Sequence, residues 1–181
     1  MKIPGFVGPT YTMDAVTFDC QRSVNLYPMA SETGTSKSVA ALRSAPGYEV
    51  FSADTQGPGR GGKTAANGRC FVVTGNTLYE LNTDGTRTSR GTILTNTSRV
   101  SMSENGLQLM IVDGTYGYIF TFATNVFAQI TDIDFPVSEV VTFQDGYFIV
   151  VERGTINFAI SNLYDGLVWD PLDISSAASN P

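Results

Sequence analysis

A chain of 181 residues is long enough for one sizeable core. Its formal charge of −6, with only 15% charged residues, excludes a surface that coats nucleic acid, which needs a net positive face. The sequence has no histidine, which removes Ser-His-Asp and Cys-His nucleophiles and ordinary His-ligated metal sites together.

Residues 1–47 are rich in Pro, Gly, Ser and Thr and contain no repeat, which reads as an extended arm or strap. The opening MKIPGFVGPTYT has one lysine but no apolar run of the signal-peptide kind. Within the arm, 24–28 (VNLYP) is expected to be a short strand stopped by its proline. Residues 36–43 offer the only place for a turn or two of helix. The two cysteines, Cys20 and Cys70, read as reduced thiols of a protein assembled in the cytosol, with a disulfide as the alternative. The longest apolar runs are far too short to span a membrane.

Residues 57–64, GPGRGGKT, match the phosphate-loop pattern G-x-x-x-x-G-K-[ST], with Gly57, Gly62, Lys63 and Thr64 in register. Taken alone this would put Lys63 on nucleotide phosphates and Thr64 on the metal, with Asp113 at the end of LQLMIVD as a further metal ligand. Such a site needs a helix to begin at the Lys-Thr pair, because helix N-terminal amides hold the phosphate. The following AANGRCFVVTGN offers a turn and a β run instead, so a nucleotide-binding protein is the disfavoured reading.

From there the chain repeats itself. The dipeptides Asn67-Gly68, Asn105-Gly106 and Asp145-Gly146 recur about forty residues apart and are expected as two-residue hairpin turns. An apolar strand follows each one: Cys70–Thr74, 107–113 and Tyr147–Glu152. A second glycine comes next (Gly75, Gly114, Gly154), and then an alternating strand at Thr77–Leu81, 118–122 and 156–160. Strands at 62–66, 99–104 and 139–144 precede the turns, and closing strands are expected at 92–95 and 127–131. Each unit therefore reads as a four-stranded antiparallel meander, and meanders at this period are the mark of β-propeller blades. The expected organisation is all-β: the arm (1–47), then repeats at 48–97, 98–137 and 138–181, the last cut short.

About three blades fall below the four to eight of closed propellers. Either further repeats of a longer protein or other subunits are expected to supply the missing surface, and the first is preferred. Other polar groups read as structural. ELNTDG (80–85) lacks the later bidentate Glu of a calcium loop. Asp132 and Asp134 have no partner acid nearby, and Trp169, the only tryptophan, reads as a packing residue.

Three stretches carry a resemblance to a known family. These are IPGFVGPTY with QRSVNLYP (21–28), GPGRG (57–61) with the FVVTGNTLYEL that follows it, and SNLYDGLVWDPLDISSA (161–177). They resemble packaged-DNA stabilisation proteins, the tail accessory or head-completion factors of short-tailed phages. The resemblance implies a non-enzymatic virion protein of the tail, assembled in the bacterial cytoplasm and needing no cofactor. Copies of it, six by the resemblance, would form a ring against the portal-adaptor and other tail proteins, extend the channel and help retain DNA. Phe6, Tyr11, Arg22, Asn25 and Tyr27 of the arm are the candidate inter-subunit contacts, the alternative being that Leu26 and Tyr27 pack beneath the first blade. The competing functional reading is a β-repeat module binding glycan or a host surface protein, with Tyr116 and Tyr164 as its aromatic candidates.

Overall fold

The computed structural model describes residues 24–30, 40–53 and 56–177, and every regular element among them is a strand. Two units separate, residues 1–50 and 51–181. In the first, β1 (Leu26–Ala30) and β2 (Ala40–Ser44) form an antiparallel ribbon that sets Tyr27 opposite Arg43 and Pro28 opposite Leu42. Two expectations need correction here. Pro28 sits within β1 rather than ending it, as a strand of a two-stranded ribbon allows, because its missing N–H can fall on the free edge. Residues 40–43, expected in a helical turn, extend as β2: propensity is a weak preference, and pairing with β1 overrides it.

The second unit holds three four-stranded sheets. The first blade is β3 (Gly59–Thr64), β4 (Cys70–Thr74), β5 (Thr77–Leu81) and β6 (Arg87–Thr92). The second is β7 (Ser101–Glu104), β8 (Gln108–Val112), β9 (Gly117–Thr121) and β10 (Val126–Gln129). The third is β11 (Ser138–Gln144), β12 (Tyr147–Glu152), β13 (Asn157–Asn162) and β14 (Asp165–Ser176). Each is an antiparallel meander with its strands in chain order. The leading strands β3, β7 and β11 lie side by side, as the inner strands of propeller blades do. The fold is all-β and of propeller type.

Two closing strands differ from expectation. In the first blade the strand lies at Arg87–Thr92 rather than 92–95, because the polar RTSRGT offers no apolar alternation to mark it. The third blade does have a fourth strand. It is interrupted: Ser161 pairs with Trp169 and Ala159 with Ile174, so residues 170–173 bulge out of the ladder.

The three Asx-Gly dipeptides build three different turns. At Asp145-Gly146 both residues have positive φ (52° and 95°) between the paired Gln144 and Tyr147, the two-residue turn expected. At Asn105 the turn is shifted by one residue. The Asn105 N–H donates to Gln108 O, so Gly106 and Leu107 are central and Gly106 alone takes positive φ (82°). At Asn67 the Ala65 N–H donates to Arg69 O and the Gly68 N–H to Ala65 O, giving a three-residue loop.

Burial follows from stacking. Phe71, Val73 and Leu78 of the first blade meet Leu109, Ile111, Tyr118 and Phe120 of the second. The alternate residues Met110, Val112 and Ile119 meet Val141, Phe148, Val150, Ala159 and Trp169 of the third. Successive side chains of a strand point to opposite faces, so β8 and β9 are buried on both. Each fully buried Leu, Ile or Phe is worth about 1.5–3 kcal/mol, and the middle blade collects that gain on two sides.

Candidate functional site

Three of the five arm residues proposed as contacts, Phe6, Arg22 and Tyr11, lie outside the described residues. The other two fall on the ribbon. Asn25 has φ 55°, and its carbonyl accepts from the Ala45 N–H at 2.8 Å, closing the ribbon just before β1. Tyr27 stands 40% exposed beside Leu26 (42%) and Met29 (43%). These are apolar side chains held in a fixed register by an antiparallel pair.

The phosphate-loop pattern is contradicted as a nucleotide site. Lys63 and Thr64 end strand β3, with Lys63 paired to Phe71 and Thr64 to Cys70, and no helix follows among the described residues. Without helix N-terminal amides the pattern cannot cradle a triphosphate. Its arginine has a different use. Arg60 is buried, and its guanidinium donates to Ser98 O (2.7 Å), Gly75 O (2.9 Å), Thr95 O (2.7 Å) and Thr95 Oγ1 (2.7 Å). The Thr95 hydroxyl in turn donates to Asp113 Oδ2 at 2.6 Å, while Asp113 Oδ1 accepts from the Thr115 and Tyr116 amides. Asp113, read from sequence as a possible metal ligand, is thus the far end of a polar clamp between the first and second blades. Burial lowers the Arg60 pKa, and the nearby Asp113 charge partly offsets this.

A second clamp joins the same two blades at the opposite end of β4. Arg69 grips both oxygens of Glu80 at 2.7 Å and reaches into the second blade, donating to Phe122 O (3.2 Å) and Asn125 Oδ1 (2.6 Å). Arg90 adds a further bond to Glu80 at 2.7 Å. The Arg69 guanidinium also lies 5.2 Å from the ring centroids of Phe71 and Phe120. Hydrogen bonding from Arg69, with Arg90 adding to it, holds the Glu80 carboxyl below its ordinary range despite burial. In the ELNTDG stretch, then, Glu80 is engaged by arginines, and Asp84 Oδ1 accepts from the Thr86 amide and hydroxyl. Between the second and third blades, Asp132 accepts from the amides of Asp134 and Trp169, and Trp169 packs edge-on against Phe135 at 5.1 Å.

Tyr164 lines a cavity of about 550 Å³ with Asn67, Arg69, Leu107, Gln108 and Phe122. Its φ of 55° is held by a bond from its N–H to Gly146 O (2.7 Å) and one from Asn105 Nδ2 to its carbonyl (3.2 Å). Tyr116 belongs to the β8–β9 turn, at the end of the blades where β7 and β11 begin; Tyr164 is at the opposite end, beside the β7–β8 turn. The two aromatic candidates for a glycan surface are not brought together. Cys70, half-buried, carries no disulfide, and Cys20 lies outside the described residues.

The polar groups missed by sequence reasoning, Arg60, Arg69 and Glu80, all serve the seam between blades. The available signal was positional: charged residues written into β runs whose neighbours are glycines and aromatics. Compared with known proteins, the chain matches a family model described as Phage_stabilise, Bacteriophage P22 Gp10, beta-propeller, over residues 1–181. No curated protein matches it.

Proposed function

The chain belongs to the Phage_stabilise family, and from that premise we propose that it serves as a tail accessory factor of a phage particle. Membership places it among phage stabilisation proteins, with partners among virion proteins. On our reading it docks against the portal-adaptor, extends the channel and helps retain packaged DNA, as a homo-oligomeric ring with no catalytic role.

The observation that carries this reading is the family match across the whole chain, 1–181. The geometry supports it. Arg60, Arg69, Asp113 and Asp132 are each committed to joining blades, with Glu80 holding Arg69, and are not gathered round an open cleft. Scaffold chemistry of that kind suits a protein whose work is to hold shape under load. The exposed ribbon residues Tyr27 and Asn25, with Phe6, Tyr11 and Arg22, are proposed as ring contacts.

DNA-filled particles lacking this protein provide the test. Purified chain is added, and vertex binding and DNA loss are followed together. Binding at the portal vertex with slower DNA loss is expected; absence of binding, or binding without retention, overturns the reading. Replacing Arg22 and Tyr27 by Ala should weaken ring formation at an unchanged melting temperature. Intact rings with a lower melting temperature would mean that the ribbon packs rather than contacts.

A further inference from the structure

Two Asn-Gly pairs stand in the sequence, Asn67-Gly68 and Asn105-Gly106. In such a pair the glycine nitrogen can attack the asparagine side-chain carbonyl, because no Cβ crowds the five-membered ring that forms. A base on that nitrogen and hydrogen-bond donors on that carbonyl oxygen turn the attack into general-base catalysis with an oxyanion hole. The two pairs occupy neighbouring turns, β3–β4 and β7–β8, which hold them differently.

At Asn105 both aids are in place. The Gly106 N–H donates to Glu104 Oε2 at 2.7 Å, and Glu104 Oε1 is fixed by the Ala66 N–H at 3.1 Å. Asn105 Oδ1 accepts from two backbone amides, those of Leu107 (2.9 Å) and Gln108 (2.6 Å). These bonds fold the side chain back over the peptide that follows it, the one that carries the Gly106 nitrogen. Asn67 lacks the base and one of the donors. Its Gly68 N–H donates to the Ala65 carbonyl at 2.9 Å, and a peptide carbonyl is no base. Among the described residues its Oδ1 accepts from the Arg69 amide alone, at 3.1 Å.

We propose that Asn105 is a self-modifying site, converted through a cyclic imide with Glu104 as the base and the Leu107 and Gln108 amides as the oxyanion hole. Glu104 Oε2 takes the proton from the Gly106 nitrogen, which bonds to Asn105 Cγ while negative charge gathers on Oδ1 between the two amides. The Cγ–Nδ2 bond then breaks, and Nδ2 leaves as ammonia with the proton that Glu104 carried. Water opens the imide at either carbonyl, leaving an aspartate or a β-linked isoaspartate at position 105. The change reaches a blade seam. Asn105 Nδ2 donates to Tyr164 O at 3.2 Å, a tie from the second blade to the third, beside the cavity of about 550 Å³. Conversion removes that donor and sets a carboxylate against the Tyr164 carbonyl, so the seam loosens as the protein ages. The inference goes beyond the tail reading and stands without it.

Peptide mapping by mass spectrometry, on the folded chain held in mildly alkaline buffer, follows both asparagines in the same molecules. Asn105 should convert about 10²-fold faster than Asn67, the advantage that a placed base supplies. In urea, where both turns are lost, the two rates should draw level. Equal folded rates, a faster Asn67, or a ratio that survives urea overturns the proposal. Glu104→Gln can still accept from the Gly106 N–H but cannot take its proton. In that variant Asn105 conversion should fall by about 10²-fold, with the Asn67 rate and the far-ultraviolet circular dichroism spectrum unchanged. An Asn105 rate equal to the parent's overturns the role given to Glu104. The comparison of folded chain with urea needs no variant, so it decides the matter even where Glu104→Gln misfolds.

Discussion

The ring of Phe127 on β10 occupies the space that a side chain on Gly91 of β6 would need, so the outer strands of two blades meet with nothing between them. Phe127 is fixed there by stacking on Tyr118, centroids 5.4 Å apart and planes 9° from parallel. Gly91→Ala should therefore destabilise the fold by about 1–3 kcal/mol through overpacking. Chemical denaturation of Gly91→Ala, Phe127→Ala and the double variant checks the cause. Because the clash disappears when the ring does, the double variant should lose less than the two single losses added together.

Arg60 satisfies three backbone carbonyls and a hydroxyl from a buried position. Arg60→Met removes the donors and leaves three carbonyls and the Thr95 hydroxyl without their buried partner, a loss of about 1–3 kcal/mol of the kind seen when a buried polar group is left unsatisfied. Arg60→Lys should recover little, since an ammonium cannot reproduce the planar fork. Equilibrium unfolding in urea measures both.

Glu80 makes stability depend on acid. Its carboxyl titrates below the ordinary range in the folded chain, chiefly through Arg69. The stabilisation is therefore present above the unfolded carboxylate pKa of about 4.3 and is lost as pH falls through the lower folded value. Glu80→Gln should be less stable than the parent at pH 7 by about 1–3 kcal/mol. The gap should close in acid, where the parent carboxylate is protonated too. Unfolding free energies of both chains across pH 2–7, a range spanning that carboxylate pKa, follow the difference.

Tyr118 gives the opposite limb. Burial pushes its phenol up to about 12, and its oxygen accepts from the Leu94 N–H at 2.9 Å. The unfolded phenol ionises near pH 10. Stability assisted by the folded, protonated phenol is present below that pH and lost as pH rises towards the folded value. Tyr118→Phe should be less stable near neutrality, for want of an acceptor to the Leu94 amide, and flatter in alkali. Thermal melts from pH 8 to pH 11, bracketing the unfolded phenol pKa, would show whether the two curves converge.

Much of this was legible in the order of the residues, and particular residues show where legibility stops. The strands of all three blades were legible, but which blade is buried on both faces was not. YFIVV (147–151) is a longer apolar run than LMIV (109–112), yet it keeps alternating burial while Leu109–Val112 is buried throughout, because among the described blades only the middle one has a neighbour on each side. The fourth strand of the third blade was missed because Asp170, Pro171, Leu172 and Asp173 leave the ladder and break its period. The clamps were harder still. Arg60 and Asp113 are 53 positions apart and meet through Thr95, a relation set by how two blades stack and not by any local pattern.

Amide hydrogen exchange tests most directly whether the blades shield one another's apolar faces. Amides of β8 and β9, covered on both sides, should exchange slowest and only with global unfolding, while β4 and β12 exchange faster. Middle-blade amides that exchange as fast as those of the end blades would contradict the stacked-blade account.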